Sequence, residues 1–139
     1  MNELAVFARI GDRRVAFDAS GVEAVIDLGA IVPVPLAPPH IRGLAAVRSH
    51  VLTVVDVETA LCGQSNDTNR RRALVVARDK HRYALLVDAV DEVGAPHTTS
   101  TNIPPGLGGG WARAARGTVE TGGTIALSLD IESIVAPAD

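Results

Sequence analysis

Two stretches of equal length decide the fold: residues 42–61 read RGLAAVRSHVLTVVDVETAL, and residues 116–135 read RGTVETGGTIALSLDIESIV. Each begins with Arg-Gly, continues through two short apolar runs and reaches an Asp-x-Glu sequence, and the two stretches align without a gap. Internal similarity at a fixed offset indicates a structural unit that occurs twice. The alternative is chance matching in a chain rich in alanine and valine, which explains the shared order of features less well.

The similarity extends upstream of these stretches. The apolar run at residues 14–18 ends in aspartate, and so does the run at residues 83–88, at a slightly shorter offset. Prolines precede each Arg-Gly, at residues 33–35 and 104–105. Each half of the chain therefore predicts a hairpin, a proline-containing connection, a second hairpin and a short helix.

The composition supports one mostly β domain with a substantial core. The chain has 139 residues, of which 47% are apolar, so residues 1–139 suit a single domain. Strand runs in the second half are almost continuously apolar, which is typical of strands covered on both sides. Two small barrels packed together would provide that cover. We predict approximate halves 1–69 and 70–139, with strands exchanged between the two sub-barrels.

Charge and aromatic content exclude several classes of function. A net charge of −3 and 3% aromatic residues do not suit a nucleic-acid interface, which needs clustered bases and stacking platforms. A single cysteine excludes an intramolecular disulfide framework and a multi-cysteine zinc site. We find no targeting sequence and no apolar run of membrane-spanning length, so we expect a soluble intracellular protein.

Several acidic residues are placed to begin helices. Asp56 and Asp130 each follow an apolar run, and an aspartate side chain there can accept from the backbone N–H groups of the first turn. Residues 20–23, SGVE, match a capping box. We therefore predict a further short helix in which Val22, Val25 and Ile26 form one apolar face.

The same acids raise the alternative of an enzyme. A small hydrolase or lyase would use Asp88 or Asp91 with a histidine, and it would need carboxylates held in a cleft with separated pKa values. Helix caps are the better interpretation because Asp56, Asp88 and Asp130 follow strands. The four histidines are scattered and have no metal-binding spacing, so we expect no metal or cofactor: His40, His50, His81 and His97.

Three other features have ordinary interpretations. Cys62 lacks an activating pattern and is expected to be a small half-buried residue. The glycine-rich residues 106–110 lack a following Lys-Ser/Thr, so they predict a flexible loop and not a phosphate cradle. The basic residues 70–72 predict a solvated strand entrance, with an anion or partner contact as the alternative.

Residues 32–44 carry four prolines among apolar residues. Proline lowers the entropy lost when a loop is fixed, so this segment predicts a pre-organised apolar surface for a protein partner. The alternative is a buried crossover between the two units.

Residues 32–57, VPVPLAPPHIRGLAAVRSHVLTVVDV, resemble the signature of the CheW family of chemotaxis coupling proteins. That signature has a proline, Pro-x-x-Ile-x-Gly, an apolar strand, Arg-Gly, a second strand and Val-Asp-Leu. Residues 86–93, LVDAVDEV, resemble the family's Val-Asp-x-Val-x-x-Val segment, and the Asp-Ile-Glu at residues 130–132 fits its ending. The resemblance covers about residues 4–135.

The resemblance implies two five-stranded SH3-like β-barrels with pseudo-symmetry, no catalytic activity and no cofactor. It implies an adaptor that couples the cytoplasmic tips of methyl-accepting chemotaxis receptors to the regulatory domain of the histidine kinase CheA. It also implies a cytoplasmic location with recruitment to receptor arrays at the inner membrane. A generic scaffold for another signalling system is the alternative within the same fold.

The expected partner-binding residues are Val22, Val25, Pro35, Ile41, Gly43, Leu44 and Arg48. Val22 and Val25 match apolar family positions, Gly43 matches a glycine at which a side chain would obstruct approach, and Arg48 matches a strand-end arginine. We expect Arg48→Ala and Gly43→Asp to impair assembly while the melting transition stays nearly intact.

The chain departs from the family pattern at Ser49, Thr53 and Ala24, where Gly, Pro and an acid are usual. The adjacent Glu23 is expected to point elsewhere, which leaves the role of Arg48 open.

Overall fold

The computed structural model describes residues 4–64 and 69–136, and over these ranges the protein is mostly β. Its strands are β1 Ala5–Ile10, β2 Arg13–Asp18, β3 Val22–Asp27, β4 Ile41–Val47, β5 His50–Asp56, β6 Arg72–Arg78, β7 His81–Leu86, β8 Ala89–Gly94, β9 Thr98–Ser100, β10 Ala115–Thr121 and β11 Thr124–Leu129. Its helices are α1 Val57–Cys62, α2 Gly109–Ala114 and α3 Ile131–Val135. No helix within these ranges is long and apolar enough to cross a membrane.

The strands form two sheets. Sheet one has the order β8-β1-β2-β11-β10-β9, and sheet two has the order β3-β6-β7-β5-β4. The mostly β, two-unit fold with short helices is thus confirmed, but sheet one has six strands where five were predicted. The counterpart of β9 in sheet two is only a single bridge, between Val32 and Leu44. Among the described residues, no ladder joins the two edge strands of either sheet.

Each sheet combines strands from both halves of the chain. The β1–β2 hairpin joins β11 through a parallel pair in which Val15 faces Leu127, and the β6–β7 hairpin joins β5 with Tyr83 facing Thr53. Val15 and Tyr83 are therefore equivalent positions of the two units. The offset inferred from the two strand-end aspartates was wrong by a small amount, because Asp88 lies beyond the end of β7.

The repeated Arg-Gly marks the same backbone feature in both sheets. The register shifts between Ile41 and Gly43 and again between Ala115 and Gly117, as in a β-bulge. The two glycines have φ values of 145° and 147°. A Cβ atom on Gly43 would lie 2.1 Å from the carbonyl oxygen of Val32, and one on Gly117 would lie 1.9 Å from that of Ser100. Only glycine fits such an approach, so both residues are required by the fold.

The predicted helix at residues 20–26 is wrong. Ala19–Gly21 form one turn of 3₁₀ helix, in which the Asp18 side chain accepts from the backbone N–H of Ser20. The residues that follow form β3, which pairs with β6 and sets Val25 opposite Leu74. Pairing of β3 with β6 therefore overrides the capping pattern of residues 20–23.

The largest core lies between the two sheets. It contains Phe17 from sheet one, Leu74 and Leu85 from sheet two, and Leu61 and Ile134 from the helices. The apolar positions that follow the two Asp-x-Glu sequences are therefore used to hold the sheets together.

Candidate functional site

Six of the seven predicted partner-binding residues fall into two groups, which lie in sheet two and in the loop that precedes β4. Val22, Val25 and Ile41 are half-buried and pack against the central core, so they have a structural role. Pro35, Leu44 and Arg48 are exposed. The structure places β3 and β4 at opposite ends of the strand order, so it does not join Val22 and Val25 to the β4 residues by strand pairing.

The exposed group belongs to an apolar surface on sheet two. It comprises the proline loop (residues 32–40) with the outward side chains of β4 and β5, and its exposed apolar members are Val32, Val34, Leu36, Leu44 and Val51. Leu36 is fully exposed and has a φ of 63°, a left-handed conformation that is unfavourable for leucine. The interpretation of this segment as a buried crossover is therefore wrong.

Sheet one has a smaller exposed apolar surface that corresponds to the one on sheet two. Ile125 occupies the position in the second repeat that Val51 has in the first, and both are exposed to the same extent. Ile103, in the second proline-containing connection, is also exposed. The duplication thus extends to the outer surface, but the apolar surface of sheet two is larger.

Gly43 is buried beneath this surface by its contact with the backbone of the proline loop. Any side chain there must push Val32 away. The expectation that Gly43→Asp leaves the melting transition intact therefore conflicts with the structure, which gives Gly43 a role in folding.

Arg48 is at the turn between β4 and β5, next to Ser49, and has no carboxylate within 4 Å among the described residues. Glu23 is paired with Arg82 at 3.0 Å, so it points away from Arg48, as the sequence suggested. Ser49 has a φ of 70°, where the family's glycine would be unstrained.

A buried network of charges lies between the two sheets. Arg70 has a side chain that is only 3% exposed, and it donates to Asp88 at 2.8 Å and to Glu58 at 2.9 Å. Its third partner, Asp56, lies at 3.6 Å and also accepts from Arg42 at 2.6 Å. The prediction that residues 70–72 are a solvated entrance is wrong for Arg70. The network has no sequence signature because its members are distant along the chain.

The network also reaches the turn between β1 and β2 of sheet one. Asp88 accepts from the backbone N–H of Gly11, in the β1–β2 turn, as well as from Arg70. Burial lowers the pKa of Arg70, but hydrogen bonds and attraction from Asp88 and Glu58 outweigh it and raise the pKa, so the residue stays charged. Buried charges are stable only when paired in this way.

The carboxylates considered for catalysis are held by arginines, and the helix-cap interpretation is wrong for Asp88, which precedes strand β8 and not a helix. Asp88 binds Arg70, and Asp91 lies 3.3 Å from Arg9 and 3.6 Å from Arg14. Over residues 4–64 and 69–136, no histidine bonds to Asp88 or Asp91, and no group of three or more His, Cys, Asp or Glu could hold a metal ion. The geometry gives no support to the hydrolase or lyase alternative.

The two remaining sequence features also have structural roles. Cys62 is exposed and not half-buried, and its Sγ accepts from Trp111 Nε1 at 2.9 Å. Gly109 and Gly110 begin α2, and a Cβ on Gly110 would lie 2.3 Å from the carbonyl oxygen of Leu61. The end of the glycine-rich segment therefore packs helices α1 and α2 closely together and is not a flexible loop.

The fold and its surfaces define a class of protein: a duplicated β scaffold that offers apolar surfaces and holds its few buried charges in structural pairs. The family model for the CheW-like domain matches residues 4–138, and the chain belongs to this family. It is a scaffold protein of chemotaxis and not an enzyme.

Relatives and a solved structure agree with this assignment. The chain is 30% identical over 132 residues to the chemotaxis protein CheW of Thermotoga maritima, covering 91% of this chain and 83% of the relative. It is 27% identical over 134 residues to that of Rhizobium meliloti, covering 95% and 86%. The crystal structure of the scaffolding protein TtCheW from Thermoanaerobacter tengcongensis has the same fold, with a TM-score of 0.81, 18% identity and coverage of 96% and 88%.

Proposed function

We propose that this protein couples the cytoplasmic tips of methyl-accepting chemotaxis receptors to the regulatory domain of the histidine kinase CheA. It would act in the cytoplasm, recruited to receptor arrays at the inner membrane. The observation that carries the proposal is the apolar surface of sheet two, where a proline-stiffened loop holds Leu36 fully in solvent. An isolated exposed leucine needs no explanation, but several exposed apolar residues on one proline-stiffened loop and the neighbouring hairpin favour a protein partner.

The coupling needs no chemistry in this chain. A partner that binds one packing arrangement of the two sheets better than another shifts the population towards it. The Arg70 network supports such a role because it ties Asp88 and Gly11 of one sheet to α1 at the end of the other. A movement of one sheet would therefore displace the other.

The first test is binding of the purified protein to the regulatory domain of its cognate CheA. We expect a complex at concentrations on the order of tens of micromolar or below. Leu36→Gly should weaken it about tenfold, because the variant removes an exposed apolar anchor. The same change relieves the left-handed backbone of Leu36, so the melting temperature should not fall.

The matched control is Leu4→Gly, which removes another exposed leucine outside the proline loop. It should leave the affinity unchanged. Absence of any complex with the wild-type protein would contradict the proposed function, and equal losses for the two variants would contradict the assignment of the surface.

A scaffold for another signalling system is the alternative within the same fold. Recovery of the partners from native cells with the tagged protein distinguishes the two: a CheA-type kinase and a chemoreceptor support the proposal, and other partners contradict it.

A further inference from the structure

The two ends of the proline loop are attached to strands β4 and β5. At its first residue, Val32 exchanges two backbone hydrogen bonds with Leu44, at 2.8 and 2.9 Å. At its last residue, the carbonyl oxygen of His40 accepts from the backbone N–H of Asp56 at 2.8 Å. Arg42 also donates twice to the carboxylate of Asp56, at 2.6 and 3.1 Å. The position of Asp56 therefore sets the position of the end of the loop.

Sheet one has the same anchor without a third charge. There the backbone N–H of Asp130 donates to the carbonyl oxygen of Ala114 at 2.9 Å, and the carboxylate pairs with Arg116 at 3.0 Å. No second arginine pairs with Asp130 among the described residues. The second copy thus forms its hairpin, bulge and helix with one ion pair alone. The fold of the repeated unit therefore does not require the arginine, Arg70, that lies beside Asp56.

Arg70 ties the anchor of the proline loop to sheet one. Its guanidinium lies 3.6 Å from the carboxylate of Asp56 and donates to Asp88 at 2.8 Å. Asp88 accepts from the backbone N–H of Gly11 in the β1–β2 turn, and its own backbone N–H donates to the carbonyl oxygen of Arg9 at 2.9 Å. Two side chains, Arg70 and Asp88, therefore bridge the anchor and the other sheet.

A second set of contacts leads from the same turn back to α1. The guanidinium carbon of Arg13 lies 4.6 Å from the ring centroid of Trp111, within the range of a cation–π interaction. Trp111 Nε1 donates to Cys62 Sγ at 2.9 Å, and Cys62 is the last residue of α1, the helix that begins after Asp56. Trp111 is the single tryptophan of the chain. A displacement of Asp56 can therefore reach Trp111 along α1 and through the β1–β2 turn.

We propose that Arg70 is a positioning residue for the proline loop and links the loop to the β1–β2 turn, so that a partner bound at the loop changes the surroundings of Trp111. This inference rests on the proposed function, which supplies the partner. A guanidinium presents its donors in one rigid plane, so it holds carboxylates from several elements in a fixed arrangement. Buried charges are costly to separate, so a shift of Asp56 displaces Arg70 and Asp88 with it.

The test uses protein in which fluorotryptophan replaces Trp111, so that one fluorine NMR resonance reports this residue while the partner stays unlabelled. We expect a saturating amount of the regulatory domain of the cognate CheA to shift this resonance in the wild type. In Arg70→Lys and Asp88→Asn the difference between the free and bound resonances should largely disappear, although both variants still form the complex. Their affinity should fall roughly fivefold, because the loop is no longer held in its binding position.

The matched control is Asp91→Asn. Asp91 also pairs with arginines, but its partners Arg9 and Arg14 both belong to sheet one. This variant should keep the wild-type shift difference and affinity. Each protein is measured at a temperature at which circular dichroism shows it to be folded, because a residue with only a structural role changes the melting temperature and not these two readouts. If Asp88→Asn does not fold, Arg70→Lys supplies the comparison.

The outcomes separate this inference from the proposed function. If the wild-type protein does not bind the kinase domain, the proposed function fails and this inference fails with it. If the kinase domain binds and leaves the Trp111 resonance unchanged, this inference alone is wrong. It is also wrong if the shift difference persists in Arg70→Lys and Asp88→Asn, because the partner would then act on Trp111 without the network. A loss of equal size in Asp91→Asn contradicts it as well.

Discussion

The two copies of the Arg-Gly…Asp sequence share a backbone but not an environment. In both, the arginine precedes a bulge glycine and pairs with the aspartate that begins the next helix, Arg42 with Asp56 at 2.6 Å and Arg116 with Asp130 at 3.0 Å. Asp56 is completely buried, whereas the side chain of Asp130 is 20% exposed and that of Arg116 is 67% exposed. The first copy also contacts Arg70, and the second has no such third charge among the described residues.

The difference shows which part of the duplication the fold requires. A bulge that brings strand β4 or β10 against a neighbouring carbonyl is required in both sheets, so its glycine occurs twice. Burial of the ion pair occurs only in the first copy, where Asp56 also contacts Arg70. Both copies pack their helices into the core between the sheets, and the first adds a buried charge network that the second lacks among the described residues.

The largest expected effect tests whether the two bulges are equivalent. Gly43→Ala and Gly117→Ala should each lower the free energy of unfolding by roughly 4 kcal/mol, because the new Cβ would overlap a backbone carbonyl. Urea denaturation followed by the fluorescence of Trp111 measures both. Gly63→Ala is the control, since it has a positive φ but open space, and it should cost only about 1 kcal/mol. A small effect at Gly117 alone would break the equivalence.

The next effect should differ between the copies. Asp56→Ala leaves Arg42 without its carboxylate and removes one of the three carboxylates around Arg70, so it should cost about 3 kcal/mol of unfolding free energy. Asp130→Ala breaks a partly exposed pair and should cost less than about 1 kcal/mol. Equal costs in urea denaturation would show that burial of the first pair is irrelevant. Asp27→Ala, in an exposed pair with Arg72, provides the baseline near zero.

These features differ in how far the sequence predicts them. The repeat, the strand-rich fold and the helix starts at Asp56 and Asp130 could be predicted, because they depend on the local order and hydrophobic periodicity of the sequence. The helix predicted at residues 20–26 failed because strand pairing with β6 is a tertiary effect. The sixth strand was missed because β9 has only three residues.

The candidate site was less predictable than the fold. The exposed proline loop could be inferred from its prolines and apolar residues, since both point to a stiff surface. The burial of Arg70 could not be inferred, because the sequence does not distinguish the three consecutive arginines. Only the fold brings Glu58 of α1 and Asp88, between β7 and β8, next to Arg70.

The smallest expected effect uses pH to compare the pairs. Burial raises the pKa of Asp130, but hydrogen bonds from Arg116 and Ser133 outweigh it and hold the pKa below its usual range. A depressed folded-state pKa stabilises the protein above the unfolded value near 4, and this contribution is lost as the pH falls through the folded value. The difference in unfolding free energy between wild type and Asp130→Asn should therefore be constant above about pH 5 and shrink below pH 4. The control is an Arg116→Met background, which removes the main group that lowers the pKa of Asp130. There the pH dependence should disappear. If it persists, Arg116 does not keep Asp130 charged, and the second copy is not held by an ion pair as the first one is.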